Sequence, residues 1–418
     1  VTGGAAGGAG RPLKVLAVNK YHYLKGGAER YYFELSRMLE ERGHEVVSFS
    51  MEGDQNEPSE HADLFVSPAR FDERSTIGDR IRAAARVVYS VEARRKIEAL
   101  IDRVRPDVAH LHNIAHQLSP SILYGLKARG VPVVQTLHDY KLVCPNFQMF
   151  VDGAVCERCR GGRYYRAVAH RCMHGSRARS LTVCAEAYVH AALGTYRRLV
   201  GLFVSPSRSL RDRMVAHGVA APRIVHVPHA ISLEGYEPAY DAGEYAAYVG
   251  RLASGKGVET VLSAAARLRG VRFRIAGEGP LGEALRARAA DMGLDNVEFL
   301  GYVTGDELCA AFSGALCVIV PSECLENSPI TVFESFAYGK PVIGASIGGI
   351  PELVVEGETG LLFRPGDAAG LAEKVEQLAA DRRRAGRMGR AGRARLEHDH
   401  SPRLHCDRIL DVYERVIS

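Results

Sequence analysis

The 418-residue sequence has no run of the roughly 20 apolar residues that a bilayer-crossing helix needs, so no such span is expected. Its opening stretch, VTGGAAGGAG, has no apolar signal core. Residues 1–11 therefore read as a flexible leader rather than an export signal, and the chain as cytoplasmic. No short internal repeat is present. No convincing Ser/His/Asp arrangement is present, which disfavours a serine nucleophile. No G-x-G-x-x-G follows the first strand, which disfavours a dinucleotide site. Excess charge of one sign is also small. The net charge of +5 permits an anionic partner without calling for nucleic acid.

What is present is ordinary globular composition, 46% hydrophobic and 25% charged, in a chain long enough for two domains. In the first half, the apolar runs KVLAVN, EVVSFS, PDVAHLHN and VPVVQTLH alternate with helical patterns over 28–41 and near 119–129. That alternation predicts a parallel sheet covered on both faces. An irregular stretch, 140–180, interrupts it, and a helical segment then runs to about Leu199. The pattern restarts at GLFVSPS and continues through AAYVGRL, RFRIAGEGP, VEFLGYV, ALCVIVPS, KPVIGAS and GLLF. The expected fold class is α/β. One doubly wound domain spans 12–200 with an insert at 140–180, and a second spans 201–400. An amphipathic helix at 401–418 is expected to pack back on the first. Two such sheets face to face bring their strand ends to one cleft, where ligands of open α/β sheets bind.

Three motifs fall at such strand ends. In KGGAER, Gly26 and Gly27 open a helix and let backbone N–H groups approach an anion; the plain alternative is a tight turn. In GRLASGKG, Gly250, Arg251 and Lys256 combine a guanidinium fork, a point charge and glycine, which suits a diphosphate; the alternative is two solvated cations. In ECLENSPITVFESFAYGKP, Asn327, Ser328, Pro329 and Ile330 prepare a helix start able to hold a phosphate. Glu326 and Glu334 flank that start. A diphosphate needs no carboxylate, whereas the hydroxyls of a sugar and a ribose donate to one. Glu334 as a simple dipole-stabilising acid is the competing reading.

Nine cysteines are present, four of them clustered as Cys144, Cys156, Cys159 and Cys172. Four thiols in an irregular insert suit a tetrahedral structural zinc, with free thiols or a disulfide, and then an iron–sulfur centre, as the alternatives. Around them lie Arg158, Arg160, Arg163, Arg166, Arg171, Arg177 and Arg179, with Tyr164 and Tyr165. They are read either as a dock for anionic lipid or as a solvated basic face.

GRLASGKG, AGEGP, GYV, PSECLENSPITVFESFAYGKPVIGASIGGIPELV and GETGLLF together resemble glycosyltransferase family 4, strongly over about 201–400. GGAER and TLHDY extend the resemblance more weakly into the first half. The resemblance implies the GT-B fold of two facing Rossmann-like domains. It implies retaining transfer from a nucleotide-diphosphate sugar, metal-independent at the reaction centre. By the same resemblance Glu334 meets the ribose and Glu326 the donor sugar, helped by Asn327 to Ile330. Arg251 and Lys256 hold the diphosphate, and Gly26 and Gly27 close on it. Gly277 and Glu278, with the backbone at Tyr302 and Val303, receive the base. His138 lies beside the sugar as hydrogen-bonding support. Similar cysteine inserts occur in some relatives. The implied acceptor is a saccharide, a lipid-linked or a small-molecule hydroxyl, with an anionic membrane surface as a further partner and a peripheral location. Two alternatives stand beside this: a nucleotide-sugar epimerase or hydrolase of the same fold, and a zinc-braced nucleic-acid binder using the Arg-rich insert.

Overall fold

The computed structural model describes residues 11–68 and 77–418, so nearly all of the leader lies outside the described residues. Runs of four or five mostly apolar residues form β1 (Lys14–Val18), β2 (Glu45–Phe49), β3 (Val108–Leu111) and β4 (Val133–Thr136). A small hairpin follows, β5 (Phe150–Val151) with β6 (Ala154–Val155), and then β7 (Leu202–Ser205) and β8 (Ile224–His226). The second half contributes β9 (Tyr245–Val249), β10 (Arg272–Ala276), β11 (Val297–Gly301), β12 (Ala315–Val320), β13 (Val342–Ala345) and β14 (Gly360–Phe363). Two six-stranded sheets result, ordered β2-β1-β3-β4-β7-β8 and β11-β10-β9-β12-β13-β14. All pairings within them are parallel. Strands such as β3, β4, β7 and β12 are buried along their whole length, which is why their sequences are continuous apolar runs rather than alternating ones.

One boundary differs from the sequence expectation. β7 and β8 complete the first sheet, so residues 201–226 belong with the N-terminal half. A buried parallel strand looks the same in either sheet. Its membership is set by long-range pairing, here with β4 and through Gly201 N–H donating to Val133 O at 2.7 Å. The helical segment ending near Leu199 is also divided. Gly194, in the left-handed region at φ 62°, ends the helix Arg177–Leu193 and opens the short one Thr195–Leu199.

The last helix, Pro402–Ile417, lies against the first sheet. Cys406, Ile409, Val412 and Tyr413 pack with Val15, Tyr31, Leu35, Val108 and Val134 in one buried cluster. Burying Ile409 or Val412 there stabilises by roughly 1.5–3 kcal/mol each. The chain thus crosses twice between its halves, at 227–240 and near 400. In each sheet the strand order reverses once, between β1 and β3 and between β9 and β12. Loops leaving β1, β4, β9 and β12 build the cleft, at or beside these switch points.

Candidate active site

A cavity of about 500 Å³ lies between the sheets. The N-terminal half lines it with Gly27 and Ala28, with His138, Asp139 and Tyr140, and with Pro206 and His229. The C-terminal half lines it with Gly250, Arg251 and Lys256 after β9 and with residues 320–331 after β12. Lys256 Nζ donates to Glu326 Oε1 at 2.6 Å, and Ser322 Oγ donates to the same oxygen at 2.7 Å. Burial works against the lysine charge, but the Glu326 carboxylate outweighs it and raises the pKa, so the ammonium stays protonated. Arg251 is exposed at the rim. Asn327 Nδ2 reaches across the cleft to His138 O at 2.6 Å. Asn327 Oδ1 and Ser328 Oγ are buried with no hydrogen-bond partner. They sit just before the helix Ile330–Ala337, whose Pro329 N-cap supplies no side-chain bond and takes the Val332 N–H on its carbonyl at 3.0 Å.

Two glycines have clear steric reasons. A Cβ on Gly27 would stand 3.1 Å from Ile330 Cδ1, so the two halves touch through a residue with no side chain. Gly277 has φ +137°, and a Cβ there would lie 1.9 Å from Gly250 O. The loops after β9 and β10 can therefore pack only with glycine at that position.

Glu334 stands outside the cavity lining, on the far side of the helix start. Its carboxylate accepts from Arg30 Nη1 at 2.6 Å, an ion pair between the two halves. Arg30 also donates to Tyr236 Oη at 2.6 Å and to Glu34 Oε1 at 2.9 Å. Burial lifts the Glu334 pKa against the pull of Arg30, while Arg30 itself remains firmly charged. Arg30, the last residue of KGGAER, was not singled out by its sequence.

Two imidazoles of the N-terminal wall, His138 and His229, are backed by further histidines. His110 and His112, on and just beyond β3, stack at 4.7 Å between centroids; His112 and His138 stack at 5.3 Å. His112 Nδ1 and His138 Nε2 share a hydrogen bond of 3.0 Å. His229 continues the stack 6.2 Å from His138. The Tyr31 ring touches His112, His138, His229 and His405, closest to His229 at 4.1 Å. His405 Nδ1 faces Pro228 O at 2.7 Å and must donate to it. Its Nε2 is then an acceptor for Tyr31 Oη at 3.0 Å. Burial depresses all five histidines: His110 and His138 to about 3, His405 to about 4, and His112 and His229 well below their ordinary value. These five imidazoles are neutral at physiological pH. Of these five, sequence reasoning picked out only His138. The H-x-H at the end of β3, beside the His after β4, was the available signal.

The structure brings Gly27, His138, Gly250, Arg251, Lys256, Glu326, Asn327, Ser328, Pro329 and Ile330 to one cavity. Gly26 is the N-cap immediately behind Gly27. Gly277, Glu278, Tyr302 and Val303 follow β10 and β11, at one edge of the second sheet and outside the lining. Tyr302 is 74% exposed there.

Cys144, Cys156, Cys159 and Cys172 line one small pocket in the insert, and all four are free thiols. The disulfide reading is therefore not realised. Burial and the neighbouring thiols push Cys159 up to about 12 and Cys172 to about 11. The Cys144 thiol donates to Asn146 Oδ1 at 2.8 Å. Among the described residues, no three His, Cys, Asp or Glu side chains are arranged to hold a metal ion. The zinc expectation thus finds no support in the side-chain placement, nor does the iron–sulfur one. No helix among the described residues is long and apolar enough to cross a membrane.

Comparison with known proteins agrees with this architecture. Residues 25–234 match the family described as Glycosyltransferase Family 4, and residues 237–395 match Glycosyl transferases group 1. The junction falls between β8 and β9, where the sheets divide. Glycogen synthase of Mycobacterium tuberculosis is 28% identical over 414 residues, covering 93% of this chain and 91% of its own. A GDP-mannose-dependent alpha-(1-6)-phosphatidylinositol monomannoside mannosyltransferase of the same organism is 32% identical over 206 residues, covering 44% of this chain and 54% of its own. Sucrose-phosphate synthase from Thermosynechococcus elongatus superposes with a TM-score of 0.70 at 20% identity, covering 97% of this chain and 98% of that one. Anabaena HepE, solved with UDP and glucose, superposes with a TM-score of 0.69 at 16% identity, covering 96% and 99%. At those identities the superpositions speak for the fold alone, which is GT-B. The relatives are transferases, which favours neither the epimerase nor the nucleic-acid alternative. The protein is an enzyme that transfers glycosyl groups, and the chain belongs to glycosyltransferase family 4.

Proposed function

We propose that this glycosyltransferase moves a sugar from a nucleotide-diphosphate sugar to a hydroxyl acceptor with retention, and without a metal at the reaction centre. The observation that carries the reading is the charged Lys256–Glu326 pair in the cavity beside the unpartnered Asn327 Oδ1 and Ser328 Oγ. Arg251, Lys256 and a helix N-terminus supply fixed positive potential where a departing diphosphate gathers charge. HepE, with its UDP-glucose complex, supports the donor class. In this reading Gly26 and Gly27 close on the diphosphate. Glu326 and Asn327 to Ile330 hold the sugar, and Glu334 meets the ribose. Gly277, Glu278, Tyr302 and Val303 receive the base.

The bond between the anomeric carbon and the diphosphate oxygen breaks, and its electron pair leaves with the diphosphate. The acceptor oxygen bonds to the same face of the sugar, and its proton passes to the departing phosphate oxygen. His138 is neutral and serves as a hydrogen-bonding wall, not as a nucleophile. The acceptor is a saccharide, lipid-linked or small-molecule hydroxyl. The Arg-rich insert favours a peripheral position at an anionic membrane surface.

A thermal-shift series with UDP, GDP, ADP and dTDP identifies the nucleotide; a ligand at ~100 times its Kd stabilises by roughly 2.7 kcal/mol. Transfer from the matching sugar nucleotide is then followed by NMR with and without EDTA. Retained configuration and EDTA-insensitive rates are expected. An inverted product removes retention, loss of rate in EDTA removes metal independence, and an epimer formed without acceptor moves the assignment to the epimerase.

A further inference from the structure

The helix Arg177–Leu193 turns several polar side chains inward and several apolar ones outward. Its buried positions include Ser180, Glu186 and His190 beside Val183 and Cys184. Its exposed positions include Leu181, Ala185, Tyr188, Val189 and Leu193; the steps from Leu181 to Ala185, from Ala185 to Tyr188 or Val189, and from Val189 to Leu193 are three or four residues, which puts them on one face. Leu181 is 59% exposed and Leu193 is 52% exposed. Of the eleven large hydrophobic side chains exposed among the described residues, six lie between Val155 and Leu193, so the apolar surface is concentrated here.

The polar inner face has a reason. Glu186 accepts from Lys141 Nζ at 2.7 Å, and Lys141 lines a pocket with His138 and Asp139. The helix is therefore pinned directly to the N-terminal wall of the active site. Around the stripe, residues 158–185 hold seven arginines and no Asp or Glu. Arg177 and Arg179 are exposed beside Leu181. A second copy of the chain on this face would bring two arginine-rich flanks together. An anionic bilayer offers the complementary arrangement, with phosphates for the guanidiniums and the acyl boundary for the stripe.

We propose that Arg177–Leu193 is an interfacial anchor: its outward stripe inserts at the headgroup–acyl boundary of an anionic bilayer while the flanking arginines engage lipid phosphates. This rests on the reading that the Arg-rich insert faces a membrane, and goes beyond it by making the contact hydrophobic as well as electrostatic. The N-terminal wall is thereby held at the lipid surface, where a lipid-linked hydroxyl can reach it.

The sequence contains no tryptophan, so Tyr188→Trp places a single fluorophore in the stripe of the full chain. The probe is a vesicle of phosphatidylglycerol and phosphatidylcholine, with pure phosphatidylcholine as control. Insertion is expected to shift the emission to the blue and to allow quenching by brominated acyl chains. Leu181→Ser with Leu193→Ser is expected to weaken co-sedimentation by on the order of tenfold. Arg177→Glu with Arg179→Glu is expected to weaken it at least as much at low salt. Unchanged thermal unfolding of the soluble variants confirms that they are folded. Binding abolished by salt, with no blue shift and no effect of the serine substitutions, overturns the anchor while leaving the electrostatic reading intact. No binding to either vesicle overturns both. A concentration-dependent dimer in light scattering that the serine substitutions dissolve, without vesicle insertion, assigns the stripe to a second copy and also overturns the anchor.

Discussion

The two walls of the cleft come from sheets of the same architecture, yet they do different physical work. The C-terminal wall carries charge: Lys256 against Glu326, Arg251 at the rim, and the helix start at Ile330. The N-terminal wall lines the cavity with half-buried His138, with His229 and with Asp139, whose pKa burial raises; buried His110, His112 and His405 back it, and all five imidazoles are kept neutral. Charge in a partly dry site is costly unless paired, and here the pairing is on the side proposed to meet the diphosphate. The opposite wall offers hydrogen bonds and ring faces instead. In a transfer whose charge builds on the leaving group, the two sides should therefore respond very differently to substitution.

The largest difference is expected in turnover. Lys256→Ala and Arg251→Ala should each lower kcat by at least ~100-fold, the scale of losing one donor to developing charge. His112→Phe keeps an aromatic in the stack but removes the 3.0 Å bond to His138, and a loss of roughly tenfold is expected. Steady-state kinetics on folded variants decides. If the phenylalanine variant lost more activity than both cation variants, the assignment of charge work to one wall would be reversed.

The second expected difference is in acid stability. A histidine held neutral in the fold binds its proton only in the unfolded chain across the window between its native pKa and 6.5. Native stability is therefore complete above pH 6.5 and declines as pH falls toward about 4 for His405 and about 3 for His110 and His138. By pH 5 the loss amounts to about 2 kcal/mol for each independent histidine, and less than the sum for stacked ones. Denaturant titrations at pH 7.5, 6 and 5 read it directly. The C-terminal wall contributes no such term, so His405→Gln should flatten the curve while Lys256→Ala should not. A curve that stays flat from pH 7.5 to 5 would contradict a neutral imidazole wall.

A third comparison divides the two glutamates. Glu326 is engaged by Lys256 and Ser322 inside the cavity, whereas Glu334 is engaged by Arg30 outside it. Glu334→Ala should weaken the free nucleoside diphosphate about tenfold, because the ribose is still present. Glu326→Ala should leave that affinity nearly unchanged and cut sugar transfer. Calorimetry with the nucleotide alone is the measurement, and equal losses in the two variants would erase the division of labour.

How much of this was visible in the sequence follows the range of the interactions. Continuous apolar runs identified the strands, because parallel strands are buried on both faces. GRLASGKG and ECLENSPI were legible because glycine, paired cations and a Pro-started helix lie close together along the chain. Membership of β7 and β8 was not legible, since pairing with β4 is a long-range event. Nor was the histidine wall. Its members come from β3, the loop after β4, the crossover at His229 and the last helix, and no local pattern joins His110 to Tyr413, whose hydroxyl it meets at 2.7 Å. The cysteines taught the opposite lesson. Their spacing invited a zinc, but the backbone places them in one pocket without a ligating arrangement.

The smallest expected effect concerns the ion pair that joins the walls. Burial raises the Glu334 pKa, and the Arg30 guanidinium at 2.6 Å is what opposes that rise. Arg30→Ala removes the opposition, so Glu334 should protonate at higher pH in the variant than in the parent. A protonated carboxyl accepts fewer ribose hydroxyl bonds, and the lost affinity should grow as pH falls. At pH 7.5 the loss should be about fivefold, close to one hydrogen bond at about 1 kcal/mol. At pH 5.5 it should be larger, because the variant's Glu334 protonates at higher pH than the parent's. Arg30→Lys keeps a charge but not the fork that also reaches Tyr236 and Glu34, so partial rescue is expected. Nucleotide calorimetry at the two pH values tests it. A loss independent of pH would mean that Arg30 only fixes the geometry between the halves, and that the comparison of charged and neutral walls ends at the cavity.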